Sequence, residues 1–316
     1  MGKERLKHFF EDHWPNNFFS RLKLMLTLQR LEGEPLGSLE LIQKHILQSI
    51  YNIKRDYFSI VADLEGRDLS YKERVYISFY RNLFPRKIVD NYALDLNLSA
   101  FPLEKLSSLL EFSLPTQVMV YLICSEDRKR PATMVIKNRA GEFLTKKFEC
   151  LVHGRENKFF FLPNGATPAG VYCIHGVMPD TNNQKLFGKY HRLIIDFVGT
   201  EQVKLYLPKE MSCDRWYLPA LIGKRLGREH LRIHGTGKKN FKFWASFYPH
   251  VTTSGCISMR EDRGRTDQRD LLQTLLLAQG AKESDQNYEK IRASLYIIET
   301  KEEEFDLALK KLDQLL

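Results

Sequence analysis

Cys256 stands in a segment whose residue types suit nucleophilic chemistry. It follows Ser254-Gly255, directly after the turn-like run Pro249–Thr253. Glycine permits a sharp backbone turn that a side chain would oppose. Such a turn projects the sulfur while neighbouring N–H groups face a bound carbonyl and stabilise a tetrahedral oxyanion. The segment therefore predicts a cysteine nucleophile.

A thiol near its free pKa is mostly protonated, so Cys256 needs a base close by. Three His-Gly dipeptides compete for this role, and they begin at His153, His175 and His234. His234 lies nearest to the cysteine in the sequence, at the end of a predicted strand that can aim the imidazole across a sheet. Residue chemistry alone favours His234 and leaves the other two open. His250 is interpreted as a loop histidine, with a second-base role as the alternative.

Two other patterns in this stretch fail on their spacing. His230 and His234 are four residues apart, as metal ligands on a helix are, but the metalloprotease pattern needs Glu where Leu231 stands. The run Gly235–Lys238 resembles the end of a phosphate-binding loop, but the required earlier glycine is replaced by Arg232. We therefore expect neither a zinc ion nor a nucleotide at this segment.

Three short segments of the chain occur in a characteristic order. They are Ile233-His234-Gly235-Thr236, then Ser254-Gly255-Cys256-Ile257-x-Met259, and upstream Thr167-Pro168-Ala169-Gly170-Val171-Tyr172. Together they resemble the active-site signature of the L,D-transpeptidase (YkuD-type) catalytic domain. Each segment is weakly specific alone, and the combination in this order is specific. The resemblance covers residues 115–298, a little over half of the chain.

The resemblance implies a peptidoglycan L,D-transpeptidase without a metal or an organic cofactor. Cys256 would attack the stem peptide between a diamino acid and D-alanine, and an amine acceptor would take the acyl group. His234 would be the base, the Gly235 carbonyl would orient its imidazole, and the N–H groups of Gly255 and Cys256 would form the oxyanion hole. The alternatives are an L,D-carboxypeptidase or hydrolase that uses water, and a non-catalytic wall-binding or scaffold protein.

Substrate recognition departs from the usual pattern of that family. Ser254 stands where the family often has His, and Ser258 stands where it often has Arg or Asn. Arg260 is close to that position but out of register. The predicted substrate-binding residues are Thr253, Ser254, Arg260 and Tyr172. Turn formation is the alternative role for Thr253 and Ser254, and core packing is the favoured alternative for Tyr172.

The elements that must position these residues divide the chain into three parts. Residues 1–114 show helical spacing, as at Leu39, Ile42, Ile46 and Ile50, and predict a helical domain whose role is unknown and which could dock a protein partner. Residues 115–298 alternate short apolar runs with turn signals, which predicts a mainly antiparallel β domain. Residues 299–316 predict a C-terminal amphipathic helix. The fold class expected is α+β. The predicted strands are Gln117–Cys124, Thr133–Lys137, Phe143–Val152, Lys158–Leu162, Val171–Ile174, Leu193–Val198, Val203–Leu207, Leu231–His234 and Ala293–Ile298, and a helix is predicted over Asp270–Gln279.

Composition narrows the classes of partner. The chain has 316 residues, of which 43% are hydrophobic, and a net charge of +9. This apolar content argues against disorder. The basic residues are scattered and form no focused stripe, so nucleic-acid binding is not expected. No apolar run is long enough for a transmembrane helix.

No signal peptide is visible at the start of the sequence, although peptidoglycan as a substrate implies a periplasmic or cell-wall location. A signal removed beforehand is the preferred explanation. Five cysteines without a Cys-x-x-Cys spacing argue against a zinc ribbon. Cys124, Cys150 and Cys173 are predicted to be core residues, and Cys213 is predicted in a loop.

Overall fold

The computed structural model describes residues 100–154, 165–178, 184–225, 228–236, 244–261, 264–282, 284 and 286–316. Residues 1–99 of the predicted helical domain therefore lie outside the described residues. The predicted strand Lys158–Leu162 lies outside them as well. The suggested docking role of that domain stays a prediction.

Eight strands close into a barrel in the described part of the chain. Their order around the barrel is β1-β2-β3-β7-β6-β5-β4-β8, with β8 pairing back onto β1. The β1–β8 and β6–β7 pairs are parallel, and the other neighbours are antiparallel. The strands are β1 (Val118–Ser125), β2 (Ala132–Lys137), β3 (Phe148–Leu151), β4 (Gly170–Val177), β5 (Leu193–Phe197), β6 (Leu231–Gly235), β7 (Ile257–Met259) and β8 (Arg292–Thr300).

The predicted fold class, α+β with a mainly antiparallel β domain, is wrong. The described residues form a closed mixed barrel, because the last strand returns to lie parallel to the first, with Val118 opposite Ala293 and Ser125 opposite Thr300. Alternation of apolar residues predicts that a segment is a strand, but it carries no information about the partner or its direction.

The barrel core is built from the inward-facing side chains of the strands. Val118, Val120 and Leu122 of β1 belong to this core. The opposite face of β1 is buried as well, since its eight residues are all buried. Tyr121 on that outer face stacks on Tyr296 of β8 with ring centroids 5.1 Å apart. Helices therefore cover the outside of the barrel at β1.

Five α-helices accompany the barrel in the described ranges. Helix α4 contributes four buried leucines to the barrel core, and α5 contacts both β1 and α1. Helix α5 falls within the segment expected to be a C-terminal helix. The helices are α1 (Leu106–Glu111), α2 (Gln184–Phe187), α3 (Leu218–Arg225), α4 (Asp267–Ala278) and α5 (Phe305–Asp313), and 3-10 turns occur at Leu103–Lys105, Val203–Tyr206, Lys209–Met211, Tyr288–Lys290 and Glu302–Glu304.

Three local predictions differ from the structure. The strand predicted over Phe143–Val152 is shorter, since β3 spans Phe148–Leu151. Val203–Tyr206 is a 3-10 turn and not a strand, and only Val203 in it is buried. Apolar side chains that pack no neighbouring strand do not stabilise an extended segment. Strand β7 was not predicted, because its three residues are too few for a periodic pattern.

Within the described ranges, no helix combines the length and the apolar character needed to cross a lipid bilayer.

Candidate active site

Two parallel strands bring the cysteine and histidine segments together. Strand β6 carries His234 and Gly235, and its neighbour β7 begins one residue after Cys256, with His234 opposite Ser258. The amide of Gln268 on α4 donates to the Ile233 carbonyl at 3.2 Å and fixes the strand that carries the histidine. Residues that are distant in the sequence thus meet on two adjacent strands of the barrel.

The His234 imidazole is buried and oriented by its own strand. Its Nδ1 lies 2.7 Å from the Gly235 carbonyl oxygen, which can only accept, so Nδ1 carries the proton and donates. The lone pair then belongs to Nε2. Burial lowers the pKa of His234 to about 4, against the opposing effect of the Gly235 contact, and the charge of Arg192 lowers the pKa further. His234 is therefore neutral at pH 7 and able to accept a proton at Nε2.

The Cys256 thiol is half-buried beside three cationic side chains. Burial raises the pKa of Cys256, while the backbone N–H of Arg232 and the charges of Arg232, Arg228 and Arg192 oppose this rise. The sulfur lies 4.0 Å from the His230 carbonyl oxygen, and within the described residues no hydrogen bond joins it to the His234 imidazole. The thiol is thus protonated at neutral pH, and its use as a nucleophile would require transfer of its proton to a base.

Gly255 makes the turn that presents the cysteine. Its φ of +101° is in the left-handed region, and a Cβ at this position would lie 2.3 Å from a guanidinium nitrogen of Arg228 and 2.9 Å from the Gly165 carbonyl oxygen. Both the backbone conformation and the close approach therefore require glycine.

Two threonines brace the same turn. The buried Thr167 hydroxyl donates to the Gly255 carbonyl at 2.9 Å, and the Thr253 hydroxyl donates to the Cys256 carbonyl at 2.5 Å. The Thr-Pro segment and the Ser-Gly-Cys segment, both singled out in the sequence, are therefore joined by a direct hydrogen bond.

Cys256 and His234 line one cavity of about 680 Å³. The described lining includes apolar, hydroxyl and charged side chains. These residues are Met178, Leu186, Phe187, Arg192, Glu229, His230, Arg232, His234, Thr236, Val251, Thr252, Thr253, Ser254, Cys256 and Ser258. The volume suits a peptide segment or a small ligand.

The structure separates the predicted substrate-binding residues into two groups. Thr253 and Ser254 line the cavity. Tyr172 does not; it is fully buried and its hydroxyl donates to the Pro168 carbonyl at 2.7 Å. Arg260 is also absent from the lining, and its guanidinium pairs with Asp267 at 2.6 Å and Glu149 at 3.0 Å.

The other candidate histidines lie away from this cavity lining. His175 is half-exposed on β4, with Nε2 3.9 Å from Asp196. His153 is buried, and its ring centroid lies 5.5 Å from that of Phe247. His250 is fully buried, with Nε2 3.0 Å from Glu149. Of the histidines weighed as base, His234 shares the cavity with Cys256.

Sequence reasoning missed the charged lining of the cavity. Arg232 lies two residues before His234 on β6, and the two-residue repeat of a strand places their side chains on the same face. Arg192 immediately precedes β5, and extension of the β5–β6 register places it opposite His234. Strand alternation would have identified Arg232, whereas Arg192 required the strand pairing.

Glu261 connects the end of β6 to the loop after α2. Its carboxylate accepts a hydrogen bond from the backbone N–H of Lys189 at 2.6 Å, and its own N–H donates to the Thr236 hydroxyl at 3.2 Å. Burial raises the pKa of Glu261 to about 7. No sequence motif marked this residue.

Comparisons with protein-family models, with curated proteins and with solved structures found no match. In the described parts of the chain, no group of three or more His, Cys, Asp or Glu side chains is arranged to hold a metal ion. The arrangement at the cavity is thus defined by its own groups, which are a thiol, an oriented neutral imidazole and neighbouring guanidinium charges.

Proposed function

We propose that the chain is a cysteine acyltransferase that acts on peptidoglycan stem peptides, as an L,D-transpeptidase. The observation that carries the proposal is that the Cys256 thiol and a neutral His234, whose Nδ1 donates to the Gly235 carbonyl at 2.7 Å, line the same cavity. The resemblance of the surrounding motifs supplies the substrate class. The proposal includes a periplasmic or wall-associated location, because mature peptidoglycan lies outside the cytoplasmic membrane.

The proposed first half-reaction forms a thioester. Nε2 of His234 takes the proton of the Cys256 thiol as the sulfur attacks the carbonyl carbon of the diamino acid. N–H groups of Gly255 and Cys256 stabilise the oxyanion. The bond from the carbonyl carbon to the D-alanine nitrogen then breaks, and the imidazolium gives its proton to the leaving amine.

The second half-reaction returns the thiol. An amine of a second stem peptide attacks the thioester carbonyl, and His234 takes a proton from that amine. The carbon–sulfur bond breaks and the proton passes to the sulfur. Water in place of the amine gives the carboxypeptidase reaction with the same groups, so the products distinguish the two activities.

Acylation by a carbapenem tests the nucleophile directly. We expect the intact mass of the native protein to increase by one carbapenem, since ring opening leaves the whole molecule on Cys256. Cys256→Ala should give no adduct, whereas Cys213→Ala, which removes an exposed thiol, should give the native result. A wild-type protein without any adduct would contradict the acyltransferase proposal and favour a wall-binding protein.

A further inference from the structure

Among the described residues, two arginines and one carboxylate line the cavity beside Cys256. Arg192 and Arg232 line it, while Glu229 is its one lining carboxylate among the described residues. Glu229 lies 3.3 Å from the imidazole Nε2 of His230, which also lines the cavity. The acidic side chain therefore faces a histidine, and the charges of Arg232 and Arg192 both lower the pKa of the Cys256 thiol.

Arg232 makes no ion pair within the described residues. Its Nε lies 2.9 Å from the Met178 sulfur and one terminal nitrogen donates to the Leu231 carbonyl at 2.6 Å. A sulfur is a weak acceptor and a carbonyl is neutral, so neither compensates the charge. Burial lowers the pKa of Arg232, Cys256 and the Asp196 carboxylate oppose this effect, and the charge of Arg192 lowers the pKa further. A half-buried guanidinium with spare donors binds an anion favourably.

Arg192, the residue immediately before β5, adds a second charge. Its guanidinium carbon lies 4.4 Å from the ring centroid of Phe187, and this ring packs edge-on against the His234 imidazole at 5.1 Å. The charge of Arg192 acts on Cys256, His234 and Arg232 alike. Both arginines therefore contribute positive potential at the position of the nucleophile.

We propose that Arg232, together with Arg192, forms a subsite that binds a carboxylate of the acyl donor next to Cys256. The inference rests on the proposed function and assigns to Arg232 the recognition of a free carboxylate on the reacting residue or on the leaving one.

The charge preference of Cys256 can be measured without any turnover of peptidoglycan. Iodoacetate and iodoacetamide alkylate a thiolate by the same step, in which a carbon–sulfur bond forms and iodide leaves, but only iodoacetate carries a carboxylate. We expect the iodoacetate-to-iodoacetamide rate ratio at Cys256 to exceed the ratio at exposed Cys213 by about tenfold at low salt. Peptide mass spectrometry assigns the alkylated site.

Variants separate recognition from thiol reactivity. Arg232→Gln should lower the Cys256 ratio toward that of Cys213, and Arg232→Lys should retain part of it. A change in thiol pKa alters both rates together and leaves the ratio unchanged. Arg139→Gln, on an exposed residue outside the cavity lining, is the matched control. An equal ratio at the two cysteines, or a ratio that Arg232→Gln does not change, would overturn the proposal.

The two sources of the carboxylate are distinguished with amidated donors. One tetrapeptide carries an amide at the terminal D-alanine, and the other carries an amide on the side-chain carboxyl of the diamino acid. We expect one amidation to raise KM about tenfold for the wild type and to have little effect on Arg232→Gln. Equal KM values for all donors would refute the subsite. A protein that shows the alkylation preference and turns over no tetrapeptide keeps the subsite and loses the proposed function.

Discussion

The two residues of the proposed proton transfer, Cys256 and His234, are both uncharged in the free protein. Burial keeps the His234 imidazole neutral and the Cys256 thiol protonated, so a preformed thiolate–imidazolium pair is disfavoured in the free protein. In the proposed reaction the proton moves as the sulfur attacks, and the Gly235 carbonyl keeps Nε2 as the acceptor. The neighbouring guanidinium charges favour the thiolate as it forms.

The buried neutral His234 also predicts a stability profile. Its pKa is near 4 in the folded protein and near 6.5 when unfolded, so the unfolded chain binds the extra proton in this window. The stability that the neutral His234 contributes is fully present above pH 6.5 and is lost as the pH falls toward 4. We expect the free energy of unfolding to drop by about 2 to 3 kcal/mol between pH 7 and 4.5 from this residue alone.

Urea unfolding at the two pH values measures this dependence. His234→Gln should remove that part of the difference between pH 7 and pH 4.5, whatever its effect at pH 7. His175→Gln, at a half-exposed position outside the cavity lining, should retain the wild-type difference. Identical pH differences for His234→Gln and the wild type would show that His234 is not held neutral by burial.

Sequence spacing identified part of the site, and the rest depended on distant contacts. The predicted residues that line the cavity come from two short segments of the sequence. They are His234 in one segment and Thr253, Ser254 and Cys256 in the other. Tyr172 has the residue type of a cleft lining, but its contact with Pro168 and the core decides its position. The ion pairs of Arg260 involve Glu149, more than a hundred residues away, which no local pattern reveals.

At the scale of elements, the turn before β7 depends on the segment before β4. The Thr167 hydroxyl donates to the Gly255 carbonyl at 2.9 Å from a fully buried position. A carbonyl that loses its buried donor keeps the full cost of desolvation. The orientation of Cys256 is therefore coupled to a segment almost ninety residues earlier in the chain.

Thr167→Val tests this coupling with almost no change of volume. We expect it to lower the free energy of unfolding by about 1 to 3 kcal/mol and to slow the alkylation of Cys256 by iodoacetamide. Thr167→Ser keeps the donor and should remain close to the wild type in alkylation rate. Urea denaturation and site-resolved mass spectrometry measure the two effects. Equal alkylation rates for the valine and serine variants would contradict a role for this hydrogen bond.

Helices and strands with a strong pattern of apolar residues could be predicted from the sequence. A three-residue strand and a strand-like segment without a partner strand could not. Strands β1 and β2 are runs of apolar and β-branched residues, and the predicted segments overlap them closely. Helix α4 begins three residues before the predicted one, because polar Asp267 and Gln268 carry no apolar signal. The turn at Val203–Tyr206 resembles a strand in composition but lacks a partner strand in the described barrel.

For the whole molecule, the decisive contact is the closure of the barrel. Strand β8 lies between β1 and β4 and pairs with both, parallel to the first and antiparallel to the second. Closure depends on residues about 175 positions apart, as at Val118 and Ala293. Sequence patterning found both strands and could not show that they are neighbours.

The C-terminal helix stabilises the closed barrel from outside the cavity. Leu312 on α5 is fully buried, whereas Leu307 on the same helix is half-exposed. We expect Leu312→Ala to lower the free energy of unfolding by about 2 to 5 kcal/mol and Leu307→Ala to cost much less. Because neither residue lines the cavity, the alkylation rate of Cys256 in the folded protein should be unchanged in both.

Thermal or urea unfolding of the two leucine variants, with alkylation under native conditions, measures both quantities. Similar losses of stability for Leu312→Ala and Leu307→Ala would contradict the packing of α5. A slower reaction of Cys256 in folded Leu312→Ala would show that the helix also shapes the site.

The most direct test of the proposed activity is incubation of the protein with a disaccharide tetrapeptide, followed by analysis of the muropeptide products and of free D-alanine. We expect D-alanine to be released together with a cross-linked dimer, and we expect neither product from Cys256→Ala. Release without dimers would indicate that water is the acceptor and that the protein is a carboxypeptidase. Unchanged tetrapeptide with the wild-type protein would contradict the assignment of Cys256 as the nucleophile of a peptidoglycan acyltransferase.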